Sequence, residues 1–212
     1  MLAARPSKLI FENIGKRYRY EWIFKNVTLT LEQGNRYALL GHNGSGKSTL
    51  LQIASGFLTP SQGIVHVEDN GKRIAIDDFY KKISYAAPYI DLVEEFSLLE
   101  TLEFHQKFKP FATHFSTQTV LKLLDFPKGN EHKEVRYFSS GMKQRLKLAL
   151  ALCSETPIIL LDEPTTNLDA AGVAWYRTLV QSETSDKLLL IASNISQDYD
   201  FCDQQFLVEN YK

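Results

Sequence analysis

The sequence predicts an α/β domain built on a parallel sheet with crossover helices, interrupted by a helical insertion. Three observations predict it. Short apolar runs such as "RYALL" (36–40), "IILL" (158–161) and "LLLIA" (188–192) have the length and bounding residues of buried strands. Amphipathic helical stretches alternate with them. A glycine-rich loop, "GHNGSGKST" (41–49), stands directly between one such strand and one such helix.

In chain order, "LIFENI" (9–14) and "VTLTL" (27–31) alternate apolar and polar residues as half-buried strands do, and "EQGN" (32–35) turns the chain. From Ser48 the pattern "STLLQIASGFL" is helical until "TPSQG" (59–63) stops it with Pro and Gly. Asn70-Gly71 marks a two-residue hairpin within "IVHVEDNGKRIAI" (64–76). Ser97 and Glu100 form a capping box that opens a helix with Leu98, Leu99 and Leu102 on its buried side. Further helices are expected over "STQTVLKLLDF" (116–126) and from Gly141 through "MKQRLKLALALCSE" to Pro157. The strand "PIILLD", a helix over "AAGVAWYRTLVQSE" (170–183), the strand at 188–192 and a terminal "QQFLVEN" complete the order.

Composition narrows the function. The chain of 212 residues carries 24 Lys and Arg against 25 Asp and Glu, so it lacks the global basic field of a nucleic-acid binder, and no nucleic-acid partner is expected. No apolar stretch approaches the roughly 20 residues that span a bilayer. "MLAARPSKLI" has no sustained apolar core of a secretory signal. Cys153 and Cys202 have neither metal nor redox spacing, which fits a reducing compartment. His66, His105, His114 and His132 lack ligand spacing, and with Trp22 and Trp175 they are assigned to packing or surface roles.

Two stretches carry chemistry. "GHNGSGKST" fits G-x-x-x-x-G-K-[ST], whose glycines let backbone amides turn inward as an anion cradle at a helix start. Gly41, Asn43, Gly44, Ser45, Gly46, Lys47, Ser48 and Thr49 are thus the expected nucleotide-binding residues, with Lys47 on the β- and γ-phosphates and the Ser48 hydroxyl on Mg²⁺. "IILLDEPTTNLD" delivers Asp162 and Glu163 at the carboxyl end of a buried strand, where ligands of open α/β sheets bind. There Asp162 orders Mg²⁺ or its water, and Glu163 polarises the attacking water as general base. Asn194, where "LLLIASN" ends, is either a turn former or a residue facing the ligand.

With "FSSGMKQR" (138–145) added, the chain resembles the ATP-binding subunit of an ABC transporter over nearly its whole length. Ser139, Gly141, Gln144 and Arg145 match the family's signature, Leu-Ser-Gly-Gly-Gln followed by x-Gln-Arg. Ser140 and Met142 depart from it, and Gly141 stands the usual 21 residues before Asp162. The resemblance implies a P-loop NTPase (RecA-like) core with an antiparallel β subdomain and an inserted α-helical signature subdomain. It implies one domain over 1–212, with the core at about 1–88 and 155–212 and the helices at about 89–154.

It further implies ATP and Mg²⁺ as cofactors and a head-to-tail dimer with a second ATP-binding subunit. Ser139, Ser140, Gly141 and Met142 would act in trans on the other copy's nucleotide, and Asp169 would end the loop crossing the interface. Separate transmembrane permease subunits would hold the chain on the cytoplasmic face of the cell membrane, and Phe96 with "EEFSLL" is either a docking point for them or internal packing. Tyr18 stands where an aromatic residue stacks on adenine, with Tyr20 competing and strand packing an alternative for both.

Two departures bear on turnover. Asn194 replaces a histidine that in the family contacts the γ-phosphate, and an amide donates without carrying charge. A glutamine is expected near Pro88, and Tyr89 and Asp91 are the candidates to replace it. A weakly hydrolysing, nucleotide-gated regulatory subunit and a non-transport ABC ATPase are therefore the alternative readings.

Overall fold

A computed structural model describes residues 6–212. The first five residues, part of the "MLAARPSKLI" segment, lie outside the described residues.

Two sheets organise the described residues. The first is antiparallel, in the order β2-β1-β4-β5, from β1 (Lys8–Tyr18), β2 (Glu21–Glu32), β4 (Gln62–Asp69) and β5 (Lys72–Ile74). Asn70 and Gly71 join β4 to β5 with φ of 52° and 75°, the positive values that a type I′ hairpin turn needs and that Asn-Gly adopts at little cost. The second is parallel, in the order β6-β7-β8-β3-β9, from β3 (Arg36–Leu40), β6 (Ile83–Ala86), β7 (Ile158–Asp162), β8 (Leu188–Ala192) and β9 (Gln204–Leu207).

Alternation within β7 and β8 explains why both strands are continuous apolar runs. Leu160 and Leu190 face the antiparallel sheet together with Leu9, Phe11 and Phe24. Ile159, Leu161, Leu189 and Ile191 face the opposite side. A sheet covered on both faces leaves no solvent side for polar residues.

Among the described residues five α-helices complete the fold: α1 (Lys47–Ala54), α2 (Leu98–Phe108), α3 (Thr117–Leu124), α4 (Ser140–Leu152) and α5 (Ala170–Glu183). The helices α2, α3 and α4 fall between β6 and β7, with a core of their own that includes Leu98, Leu102, Val120 and Leu146. The capping box of α2 forms as expected, with the Ser97 hydroxyl accepting from the Glu100 amide and Glu100 accepting from the Ser97 amide. Among the described residues, no helix is long and apolar enough to cross a membrane.

The sequence pattern does not single out β6, and α1 stops at Ala54 instead of running on to Leu58. Strand β6 is four residues long and exists through its pairing with β7. Register then sets the site. Leu39 of β3 and Asp162 of β7 both pair with Ala192 of β8, so the chain leaves all three strands along one edge.

Candidate nucleotide-binding site

The loop from Gly41 to Gly46 turns between β3 and α1 using φ values that side chains resist. Gly46 caps α1 at φ 109°, and a Cβ there would come within 2.6 Å of Ile23 in β2. Only glycine satisfies both the angle and the close approach. Lys47 is 5% exposed and its ammonium donates to the Gly41 and His42 carbonyls at 2.7 and 3.2 Å, curling over the loop it belongs to. Asn43, Gly44, Gly46, Lys47, Ser48 and Thr49 line a cavity of about 190 Å³ whose wall is completed by Ile23 and Glu163.

Asp162 ends β7 almost fully buried. Its Oδ2 accepts from the Tyr89 hydroxyl at 2.8 Å, while its Oδ1 has no hydrogen-bond partner. Burial pushes its carboxyl pKa up, the hydroxyls of Ser48 and Tyr89 oppose that, and the neighbouring Glu163 charge adds to it. A buried anionic oxygen without a donor, beside a serine hydroxyl, is the donor set that a hard divalent cation takes. The residues present therefore fit Mg²⁺.

Glu163 follows with φ 43°, in the left-handed region that non-glycine residues rarely occupy. Its amide donates to the Ala192 carbonyl at 2.8 Å, so β8 continues to hold the chain past the end of β7. Asn194 leaves β8 on the same edge, and its Nδ2 donates to the Asn43 side chain at 3.0 Å. The phosphate loop, the acidic pair and Asn194 are thus brought together, although they stand up to 153 positions apart in the chain.

Other expected residues lie elsewhere. Ser139 caps α4 by accepting from the Met142 amide at 3.2 Å, and neither residue lines the cavity of its own chain; nor does Ser140 or Gly141. A Cβ on Gly141 would stand 2.9 Å from the Asn167 carbonyl, so the small residue lets α4 approach the loop after Glu163. Gln144 fastens the same pair by donating to the Pro164 carbonyl at 2.9 Å. Asp169 caps α5 through the Gly172 amide at 2.7 Å. Tyr18 is half exposed at the end of β1 with the Lys16 ammonium 5.2 Å from its ring, and Tyr20 is 95% exposed at the hairpin tip. Neither lines the cavity; Ile23 of the same hairpin does.

Three further contacts surround the site. Of the two candidates for the missing glutamine, Tyr89 bonds to Asp162 and Asp91 is exposed. Its hydroxyl also meets that of Tyr85, and burial pushes the Tyr89 pKa up to about 12. Glu209, near the C-terminus, accepts from the His42 amide at 2.8 Å and from its ring at 2.6 Å, bracing the phosphate loop from below. Asp198 joins two site loops by accepting from the Ser193 and Thr165 hydroxyls.

A family model described as ABC transporter matches residues 24–166. The chain belongs to the ABC transporter family, as an ATP-binding subunit. Similarity to individual ABC proteins agrees. The chain is 33% identical over 190 residues to the lantibiotic transport ATP-binding protein SrtF of Streptococcus pyogenes, covering 88% of this chain and 79% of that one. It is 32% identical over 192 residues to the cytochrome c biogenesis ATP-binding export protein CcmA of Agrobacterium fabrum, covering 87% of each. Among solved structures, a putative ABC transporter ATP-binding protein from Pyrococcus furiosus superposes with a TM-score of 0.79 at 22% identity, over 97% of this chain and 99% of that one. The dimeric ATP-binding cassette MJ0796, bound to ADP and Pi, gives 0.79 at 23% over 94% and 93%. The ABC ATPase fold expected from the sequence is the fold observed.

Proposed function

We propose that this ABC subunit hydrolyses ATP between two copies paired head to tail and so powers transport through separate transmembrane subunits. One observation carries the reading: Lys47, Ser48 and Glu163 line a cavity of about 190 Å³ at the edge of the parallel sheet where Asp162 ends β7 and Asn194 follows β8 to meet Asn43.

In this reading the loop amides and Lys47 hold the β- and γ-phosphates, with Tyr18 as the stacking residue toward adenine. Ser48 and Asp162 would hold Mg²⁺, which offsets phosphate charge when bound. Glu163 accepts a proton from the attacking water, and Asn194 donates to the terminal phosphate from the far side. That Ser139 to Met142 do not line their own cavity supports a role in trans, since the start of a helix favours an anion and their own chain's phosphate loop lies elsewhere. Asp169, at the end of the loop that Gln144 and Gly141 hold to α4, accompanies them at the interface.

Docking on a permease is supported by a row of aromatic rings on and before α2. Phe96 meets Phe104 edge-on at 5.3 Å between ring centres and Phe104 meets Phe108 at a tilt at 4.9 Å, with Phe104 and Phe108 exposed. Such docking would hold the chain at the cytoplasmic face of the membrane.

The decisive experiment is Glu163→Gln, which keeps the site's shape and removes the base. Its expected outcome is an ATP-dependent dimer, measured by size-exclusion chromatography with light scattering, with turnover reduced by about a hundredfold or more. A folded variant that stays monomeric with ATP would sink the shared-site reading.

A further inference from the structure

Beyond β8 the chain turns through Ser193 and Asn194 into the short 3-10 segment Ser196–Asp198, which folds the Asp198 carboxylate back beneath the turn. Asp198 is fully buried. One of its oxygens accepts from the Ser193 hydroxyl and the other from the Thr165 hydroxyl, each at 2.6 Å. These are short, charge-assisted bonds of the kind that offset the burial of a carboxylate. Its main-chain carbonyl accepts from the Tyr176 hydroxyl of α5 at 3.0 Å, which fixes the segment from a third side.

The two hydroxyl donors belong to different parts of the catalytic site. Ser193 Oγ also accepts from the Ile195 amide at 3.0 Å, so it shapes the turn on which Asn194 stands. Thr165 lies two residues after Glu163, in a loop that bends back on it: the Thr166 amide donates to the Glu163 carbonyl at 3.1 Å. A neutral amide at position 198 would offer one acceptor oxygen to two donors, so the carboxylate is the group that serves both.

We propose that Asp198 is a positioning residue that locks the loop bearing Glu163 to the loop bearing Asn194. General base and phosphate contact then move as one unit, and this rests on the ATPase reading of the site given above. Burial pushes the Asp198 pKa up, while the two hydroxyls oppose that shift. The two hydroxyl bonds favour the carboxylate and so oppose the effect of burial. Nucleotide affinity does not pass through this tether, because Lys47 is fixed by the carbonyls of Gly41 and His42 instead.

The test is Thr165→Val against Thr165→Ser in the full chain. Three readouts are needed: steady-state ATP hydrolysis, affinity for a fluorescent methylanthraniloyl-ATP, and amide hydrogen exchange. Valine keeps the shape and removes the donor, and kcat is expected to fall by about ten- to a hundredfold with nucleotide affinity within about twofold of wild type. Serine keeps the donor and is expected to restore kcat. Exchange should quicken in 194–198 as well as in 164–168 for the valine variant alone. An unchanged kcat in a Thr165→Val protein of lowered stability would overturn the proposal, as would faster exchange confined to 164–168. Absence of hydrolysis in the wild type would refute the ATPase reading instead, and hydrogen exchange would still decide the tether.

Discussion

Asp162 is the residue whose replacement separates the site's chemistry from its stability. It is 1% exposed, one oxygen accepts from Tyr89 at 2.8 Å, and the other oxygen has no partner. An unsatisfied buried acceptor costs about 1–3 kcal/mol, and more when it is charged. Asp162→Asn keeps the shape and the acceptor for Tyr89 but removes the charge. The nucleotide-free variant is therefore expected to be more stable by about 1–2 kcal/mol. For a domain of this size that is a rise in Tm of roughly 2–8 °C.

With Mg²⁺ and ATP the order reverses. A ligand that binds only the native state at a hundred times its Kd adds about 2.7 kcal/mol, and the variant forfeits most of that increment. Thermal unfolding of both proteins without ligand, with ATP and chelator, and with ATP and Mg²⁺ reads both effects. Because burial raises the Asp162 pKa, the folded carboxyl takes up a proton before an unfolded one does as the solution is acidified. The cost of the buried charge is full above the folded pKa and absent at acid pH, so the variant's advantage shrinks on acidification. A variant that melts below wild type without ligand, yet keeps the full Mg²⁺ increment, would refute this account.

Asn194→His is expected to raise kcat by roughly tenfold, because an imidazolium adds charge where the amide supplies only a donor; an unchanged rate in steady-state hydrolysis would show that the amide is not limiting. Lys109 sits at the end of α2 with its ammonium donating to the Ile83 carbonyl at 2.7 Å, and burial pulls its pKa from 10.5 to about 8. Its charged form is disfavoured in the folded chain, so wild-type stability rises with pH between about 8 and 10.5. Lys109→Met is accordingly expected to gain about 1–2 kcal/mol at pH 7 after the lost hydrogen bond is subtracted. In thermal melts that gain should vanish near pH 10.5; a variant less stable than wild type at pH 7 would count against it.

The parts of the fold that sequence reading recovers are those whose physics is local. Residues 170–183 form α5 because helical periodicity follows an Asp cap, and Ser97 with Glu100 makes its capping box within four residues. Strands β7 and β8 declare themselves because burial on both faces demands unbroken apolar runs. Strand β6 does not, since "ISYA" is short and half polar and becomes a strand through a partner 75 positions away, Ile83 with Ile158. The site divides along the same line. Its phosphate loop and acidic pair need particular residue types at fixed spacing, whereas Asp198 reaches Thr165 across 33 positions and Glu209 reaches His42 across 167. A single carboxylate has no local pattern to announce such a contact.

Asn194 shows how position and chemistry come apart. Its place at the phosphate loop follows from β8 lying between β3 and β7, and its amide meets Asn43 at 3.0 Å. An exposed hydrogen bond between two neutral amides is worth about 1 kcal/mol, so an incoming phosphate can replace it without large cost. Among the residues lining the cavity, Lys47 is the only cation. If the subunit works as proposed, charge neutralisation of the terminal phosphate within one chain would fall to Lys47 and Mg²⁺, and the remaining donors would come from Asn194 and from the start of α4 in the other copy. Such a site would bind nucleotide through its phosphate loop and would depend on dimer closure for turnover. Closure and hydrolysis should therefore respond separately to substitution, Asn194→His moving the second and leaving the first.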